Sequence, residues 1–213
     1  MAGMGRAENV LAHNVRLLGH LDLPGGGQVT VRDGYAYVGH MKPPHGTTIL
    51  DVADPARPRV VSTVTLADSY SHTHKVRVVD DLMFVNAEMN NRHFLRKGER
   101  IPGVAARIQA EQGRPASPQE IAQALGVAEA DLPILEEAAR RGYGDGGFRI
   151  YDIADRTRPR EIAYVRTHGI GVHRFDVDDR YAYISTEMEG FLGNILVIYD
   201  IGDPTHPCEV SRW

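Results

Sequence analysis

One segment of this chain occurs three times, and that repetition limits the folds open to it more than any single motif does. Thr48-Ile49-Leu50-Asp51-Val52-Ala53-Asp54-Pro55, Arg149-Ile150-Tyr151-Asp152-Ile153-Ala154-Asp155 and Val197-Ile198-Tyr199-Asp200-Ile201-Gly202-Asp203-Pro204 share one pattern. Each is a short apolar run closed by Asp-x-x-Asp, then a proline (Pro58, Pro159, Pro207) and a second apolar run. The aspartates suit a turn, because their side chains accept backbone N–H bonds while proline presets φ.

A second element precedes each copy. It reads Val29-Thr30-Val31-Arg32-Asp33-Gly34-Tyr35-Ala36-Tyr37-Val38 in the first unit, Val76 to Val85 around Asp80-Asp81 in the second, and Phe175 to Ile184 around Asp178-Asp179 in the third. Apolar residues alternating on both sides of a tight polar turn predict a β-hairpin. Each unit therefore has four strands: A and B form the hairpin, C carries Asp-x-x-Asp, and D follows the proline. From Asp152 to Asp200 is 48 residues, the period of a propeller blade, whereas Asp51 to Asp152 is 101. The excess lies inside the second unit. The expected fold is all-β: a β-propeller of four-stranded antiparallel blades with a small α-helical insertion.

The Leu196-Val197-Ile198-Tyr199-Asp200-Ile201-Gly202-Asp203-Pro204 run resembles the LVIVD-repeat family, a group of β-propeller proteins. The resemblance implies the fold and says little about activity, since propellers host many functions.

The expected organisation is an N-terminal tail over 1–13, strands of the first and second blades over 14–91, a helical insertion over 92–145, and the rest of blades two and three over 146–213. Val15 to Leu21 reads as a lone leading D-type strand. About three blades are legible, and closure usually takes four to eight. The chain is thus expected to be the first part of a longer propeller lacking its C-terminal blades, or to close a ring as a homo-oligomer.

Within the insertion, Val104 to Ala110 reads as a short helix. Ser117-Pro118-Gln119-Glu120 places an N-cap, a proline at the first helical position and a glutamate at the third, so a helix starts there and runs through Leu125 to Gly126. A third helix is expected from about Ala128 to Arg141. Arg114 to Val127 resembles the helix-turn-helix of sigma-70-type factors, but the following helix opens Ala128-Glu129-Ala130-Asp131 without the basic residues that phosphate contact needs.

Net charge is −4, so no general attraction to nucleic acid is expected. One cysteine, Cys208, allows no intrachain disulfide and fits a reducing, cytoplasmic setting. No apolar h-region opens the chain, and no run reaches membrane-spanning length, so no membrane partner is expected.

The candidate site comes from aligning the hairpins. His74 precedes strand A of the second unit and His173 precedes strand A of the third, where the first unit has Gly27. Strand B ends in Asn86-Ala87-Glu88-Met89 and Ser185-Thr186-Glu187-Met188, where the first unit has Gly39-His40-Met41. In a propeller the start of A and the end of B share one face of the disc. His74, Glu88, His173 and Glu187 are expected to meet at one mouth of the channel, joined by His72 and His168 from the D–A loops and by His40 and His45. The helices, sitting in a B–C loop, are expected to cover that mouth as a lid. Imidazoles and carboxylates together bind divalent Zn, Fe, Cu or Mn, or act as acid and base. In architecture alone this is similar to propeller lyases and the selenium-binding-protein group. Two functions stay open: a site for a small-molecule ligand or divalent metal, and a non-catalytic scaffold that docks a protein partner through the helices.

Overall fold

A computed structural model describes residues 13–213; residues 1–12, most of the tail expected over 1–13, lie outside it. The first unit is a four-stranded antiparallel meander of β1 (Gly26–Arg32), β2 (Tyr35–His40), β3 (His45–Asp51) and β4 (Arg59–Thr65). A two-residue strand β5 (Ser71–His72) leads into the second unit, made of β6 (Val76–Val79), β7 (Leu82–Met89), β8 (Gly147–Asp152) and β9 (Arg160–Arg166). The third is β10 (His168–Val177), β11 (Tyr181–Glu187), β12 (Asn194–Asp200) and β13 (Cys208–Arg212). These are the four-strand units expected from the repeat.

The repeated aspartates do what their spacing suggests. Asp51, Asp152 and Asp200 each accept the N–H two residues on, from Ala53, Ala154 and Gly202 at 3.0, 3.0 and 2.8 Å. Asp54, Asp155 and Asp203 repeat this with Ala56, Thr157 and Thr205 at 3.0, 2.9 and 2.9 Å. Each C–D connection is thus two consecutive Asx-type turns. At the first two hairpin turns, Asp33 and Asp80 take positive φ, a conformation that Asp tolerates better than most residues.

Successive units pack face to face. Tyr37 and Ile49 of the first unit meet Val76, Val78, Met83, Val85, Tyr151 and Ile153 of the second. The other face of the second unit presents Phe84, Phe148 and Ile150 to Val172, Phe175, Ile184, Val197 and Tyr199 of the third. Full burial of one such side chain stabilises by roughly 1.5–3 kcal/mol, so these two layers hold the units in order. The second and third units also join edge to edge where Gly171 of β10 pairs with Glu88 of β7, which makes one curled nine-stranded sheet.

Between β7 and β8 run α1 (Arg92–Gly98), α2 (Ile101–Gln112), α3 (Pro118–Leu125) and α4 (Leu132–Arg141), with a 3₁₀ turn over Glu129–Asp131 before α4. Ser117 and Glu120 form the expected reciprocal capping box. Of these helices, α1 had no counterpart in the sequence reading. Helices α2 to α4 enclose a small core of their own around Val104, Ile108, Ala122, Leu125, Leu132 and Leu135. The segment is tied to the sheets by Leu95 and Tyr143 packing with Met89 and Ile170, and by Ser71 Oγ 2.9 Å from Tyr143 Oη.

One expectation fails. Val15 to Leu21 forms no strand, and Val15 and Leu17 are exposed. A D-type strand needs an unpaired C strand beside it, and β3, β8 and β12 already pair with β4, β9 and β13. Among the described residues no helix is long and apolar enough to cross a membrane.

Candidate metal centre

The register of the hairpins decides which side chains meet. Tyr35, Leu82 and Tyr181 each pair with the first aspartate of their unit, Asp51, Asp152 and Asp200, so they are equivalent. Counting on from them, Met41, Glu88 and Glu187 share one position, and His40, Ala87 and Thr186 share the neighbouring one. Adjacent positions on a strand face opposite sides of the sheet. The Glu88 position lies on the side that packs against the following unit, as Tyr37 and Phe84 do.

Glu88 therefore turns toward the third unit. There His173 Nδ1 lies 2.9 Å from its Oε2 and 3.1 Å from its Oε1. His72, on β5 beside β7, brings Nε2 to 3.0 Å from the same Oε2. His74 Nδ1 lies at 3.8 Å. Arg92, at the start of α1, donates from Nη1 to Oε1 at 2.9 Å. The Glu88 side chain is only 2% exposed. Burial pushes its pKa upward, but hydrogen bonds from His72 and His173 outweigh it and hold the carboxyl at about 2. His74 moves down to about 4, first through burial and then through the neighbouring His72.

Backbone approach makes the cluster. Gly171 has φ +91°, and a Cβ there would run into the Ala87 carbonyl, so only glycine lets β10 close on β7 beside Glu88. Asn86 fixes His74: its Oδ1 accepts Lys75 N–H at 2.8 Å, and its Nδ2 reaches the Val172 carbonyl at 2.8 Å and His74 Nδ1 at 3.3 Å. The Nδ1 lone pair that faces Asn86 Nδ2 is the one a bound ion would take in place of that contact.

His72 faces two acceptors. Its Nδ1 is 3.3 Å from the Met41 carbonyl while its Nε2 faces the Glu88 carboxylate. A neutral imidazole has one N–H and serves one of these acceptors, whereas an imidazolium serves both. A cation between Nε2 and the carboxylate would leave Nδ1–H for the carbonyl, the arrangement common to metal-bound histidines. His72, His74 and Glu88 each offer a ligand atom, and these atoms lie within 4.8 Å of one another. They open onto a cavity of about 280 Å³ that also touches Met41, Arg92, His93 and His173.

Four of the six expected site residues are thus together: His72, His74, Glu88 and His173. The other two are corrections. His40 lies on the opposite face of its meander, buried, with Nδ1 2.7 Å from the Pro24 carbonyl and Nε2 2.8 Å from Thr48 Oγ1. It is the last residue of β2 rather than part of the loop after it, one position short of the register of Glu88. Glu187 has the right register, but where Glu88 meets His173 of the following unit, Glu187 pairs with Arg96 of α1. His168 borders a separate cavity beside Glu187, and His45 packs against His40. The helical cover is also narrower than expected. Only the start of α1 lines the histidine cavity, and α2, α3 and α4 contribute no lining residue. Sequence reasoning missed Arg92, Asn86 and His93. Arg92 at four residues beyond Glu88 was the one available signal.

The LVIVD-repeat family model matches residues 26–65 and 174–213, which are the first unit and nearly all of the third. Two of the three four-strand units thus match the LVIVD repeat. The second unit has the same strand order and register as the two matched LVIVD repeats, interrupted by the helices between its B and C strands. Neither match reaches Arg114 to Val127, so the likeness of that stretch to a sigma-type helix-turn-helix finds no support. No curated protein matches the chain.

Proposed function

We propose that this protein is a propeller-type scaffold holding a divalent transition-metal ion between its second and third units. His72, His74 and Glu88 are the ligands, and His173 steadies the carboxylate from the side. The observation that carries this reading is the convergence of two imidazoles and one carboxylate, all buried, with ligand atoms within 4.8 Å of one another. Nitrogen and carboxylate donors without a thiolate suit Zn, Fe, Cu or Mn. We further read the three units as successive blades about one axis, with the cavity at the mouth of the channel, because each packs its forward face on the next.

The test is titration of chelator-treated protein with Co²⁺, followed by visible absorption and calorimetry. One equivalent binds the wild type, and His72→Ala and Glu88→Ala each weaken it by at least about tenfold, while His173→Ala weakens it less. Sub-stoichiometric uptake by the wild type, or unchanged affinity in both ligand variants, sinks the reading.

A second reading, a non-catalytic scaffold that docks a protein partner, is favoured by the separate core of the inserted helices. Deleting residues 95–142 would then abolish partner capture with the sheets intact, whereas the metal reading leaves the ion's ligands in place.

A further inference from the structure

We infer that the cavity takes a small oxyanion, held bidentately by the Arg92 guanidinium beside the bound ion; this rests on the metal reading above. Charge is the first argument. Among the described residues Glu88 is the single carboxylate lining the cavity, and Arg92 balances it at 2.9 Å. A divalent ion on Glu88 leaves two positive charges in the cavity beyond that carboxylate: one from the ion and one from Arg92. The remaining charge-capable lining groups, His72, His74, His93 and His173, bring no negative charge. A cavity of this kind needs an anion.

Geometry is the second argument. Arg92 uses one nitrogen, Nη1, on Glu88; Nε and Nη2 make no hydrogen bond among the described residues. Its side chain is 44% exposed and borders the cavity. When the ion takes the carboxylate, the whole planar fork is released toward the cavity, and that fork matches a carboxylate or phosphate edge. Asn90, Asn91 and His93 line the same rim. A volume of about 280 Å³ is room enough for a small carboxylate or inorganic phosphate.

The same arrangement gives Arg92 an unusual signature. It competes with the ion for Glu88 and cooperates with the ion on the anion. Cobalt-loaded protein is titrated with acetate and, separately, with inorganic phosphate, following the visible spectrum and thermal shift. At least one of the two anions changes both. Arg92→Ala weakens that anion by at least about tenfold and at the same time tightens Co²⁺; Arg92→Lys, which keeps the charge and loses the fork, falls between. A response to acetate alone identifies carboxylates as the class, and one to phosphate alone identifies phosphate. Equal anion binding by wild type and Arg92→Ala, or no response to either anion by cobalt-loaded wild type, overturns the inference and leaves the metal reading standing. Failure of the wild type to bind Co²⁺ overturns both. Melting curves of both Arg92 variants check that they are folded.

Discussion

At the scale of single residues the molecule turns on Glu88. A carboxylate 2% exposed is tolerated here because His72, His173 and Arg92 all reach it. Removing one partner of a buried charged cluster leaves the others uncompensated, at a cost of about 3–5 kcal/mol. Glu88→Ala in metal-free protein is therefore expected to lower unfolding stability by about 3 kcal/mol, read from the urea midpoint at constant slope; a loss below about 1 kcal/mol contradicts the cluster. The acid limb has a defined sign. The folded-state pKa of His74, about 4, lies below its ordinary 6.5, so the unfolded chain takes up the proton first. Stability from neutral His74 is complete above about 6.5 and falls as the pH drops toward 4. Glu88, held at about 2 against its ordinary 4.5, adds a second loss, complete only below 2. The groups facing His74 are His72, Glu88, Lys75 and His173. Urea midpoints of the chelated protein should fall between pH 6.5 and 4, and His74→Gln should flatten that window; a flat wild-type profile there contradicts the assignment.

At the scale of elements, the helical segment was legible at the point where a local motif decides. Ser117 Oγ accepts the Glu120 N–H and Glu120 returns to the Ser117 N–H at 2.9 Å, the reciprocal bonds that Ser-Pro-Gln-Glu spells out. Ser117→Ala is expected to destabilise α3 by about 1 kcal/mol. Hydrogen exchange of Glu120 and Ile121 should report it, with the amides of β7 and β8 unchanged. Glu120 is also held below its ordinary value, first by Arg114 and then by Ser117, so its contribution is present above pH 4.5 and is lost on acidification. Helix α1 was missed because Arg92 to Gly98 has neither a side-chain cap nor an acidic first turn, and its N-cap Asn91 is left-handed. Its place is fixed by Leu95 packing with Met89 and Ile170, contacts across the chain that local pattern does not encode. The lone strand expected over Val15 to Leu21 failed for the complementary reason: it has the pattern of a strand, and the C strands β3, β8 and β12 are already paired.

At the scale of the whole molecule, the site exists because two units close on each other at one residue. Gly171 carries no Cβ, and its φ of +91° is open to glycine. Gly171→Ala is expected to cost about 3 kcal/mol or more and to move β10 off β7. The Glu88–His173 contact would be lost with it. Loss of the His173 chemical-shift response to Glu88→Gln in that background checks this; an unperturbed variant shows that the closure is not what brings the residues together.

The sequence by itself determined the repeating unit, its turns and the strand order. Alternation, Asp-x-x-Asp and the hairpin turns are local, and each copy restates them. It also brought forward His72, His74, Glu88 and His173, in one group with Glu187, His40, His45 and His168. Tertiary structure decided which members of the repeat meet. An acid on strand B reaches forward to the next unit, so Glu88 finds His173 while Glu187 turns to Arg96. His40 misses by a single residue of register, which puts its ring on the other face of the sheet. The physical reason is that spacing along the chain fixes a side chain's face only once pairing is known, and contact between units depends on a backbone approach that Gly171 alone permits.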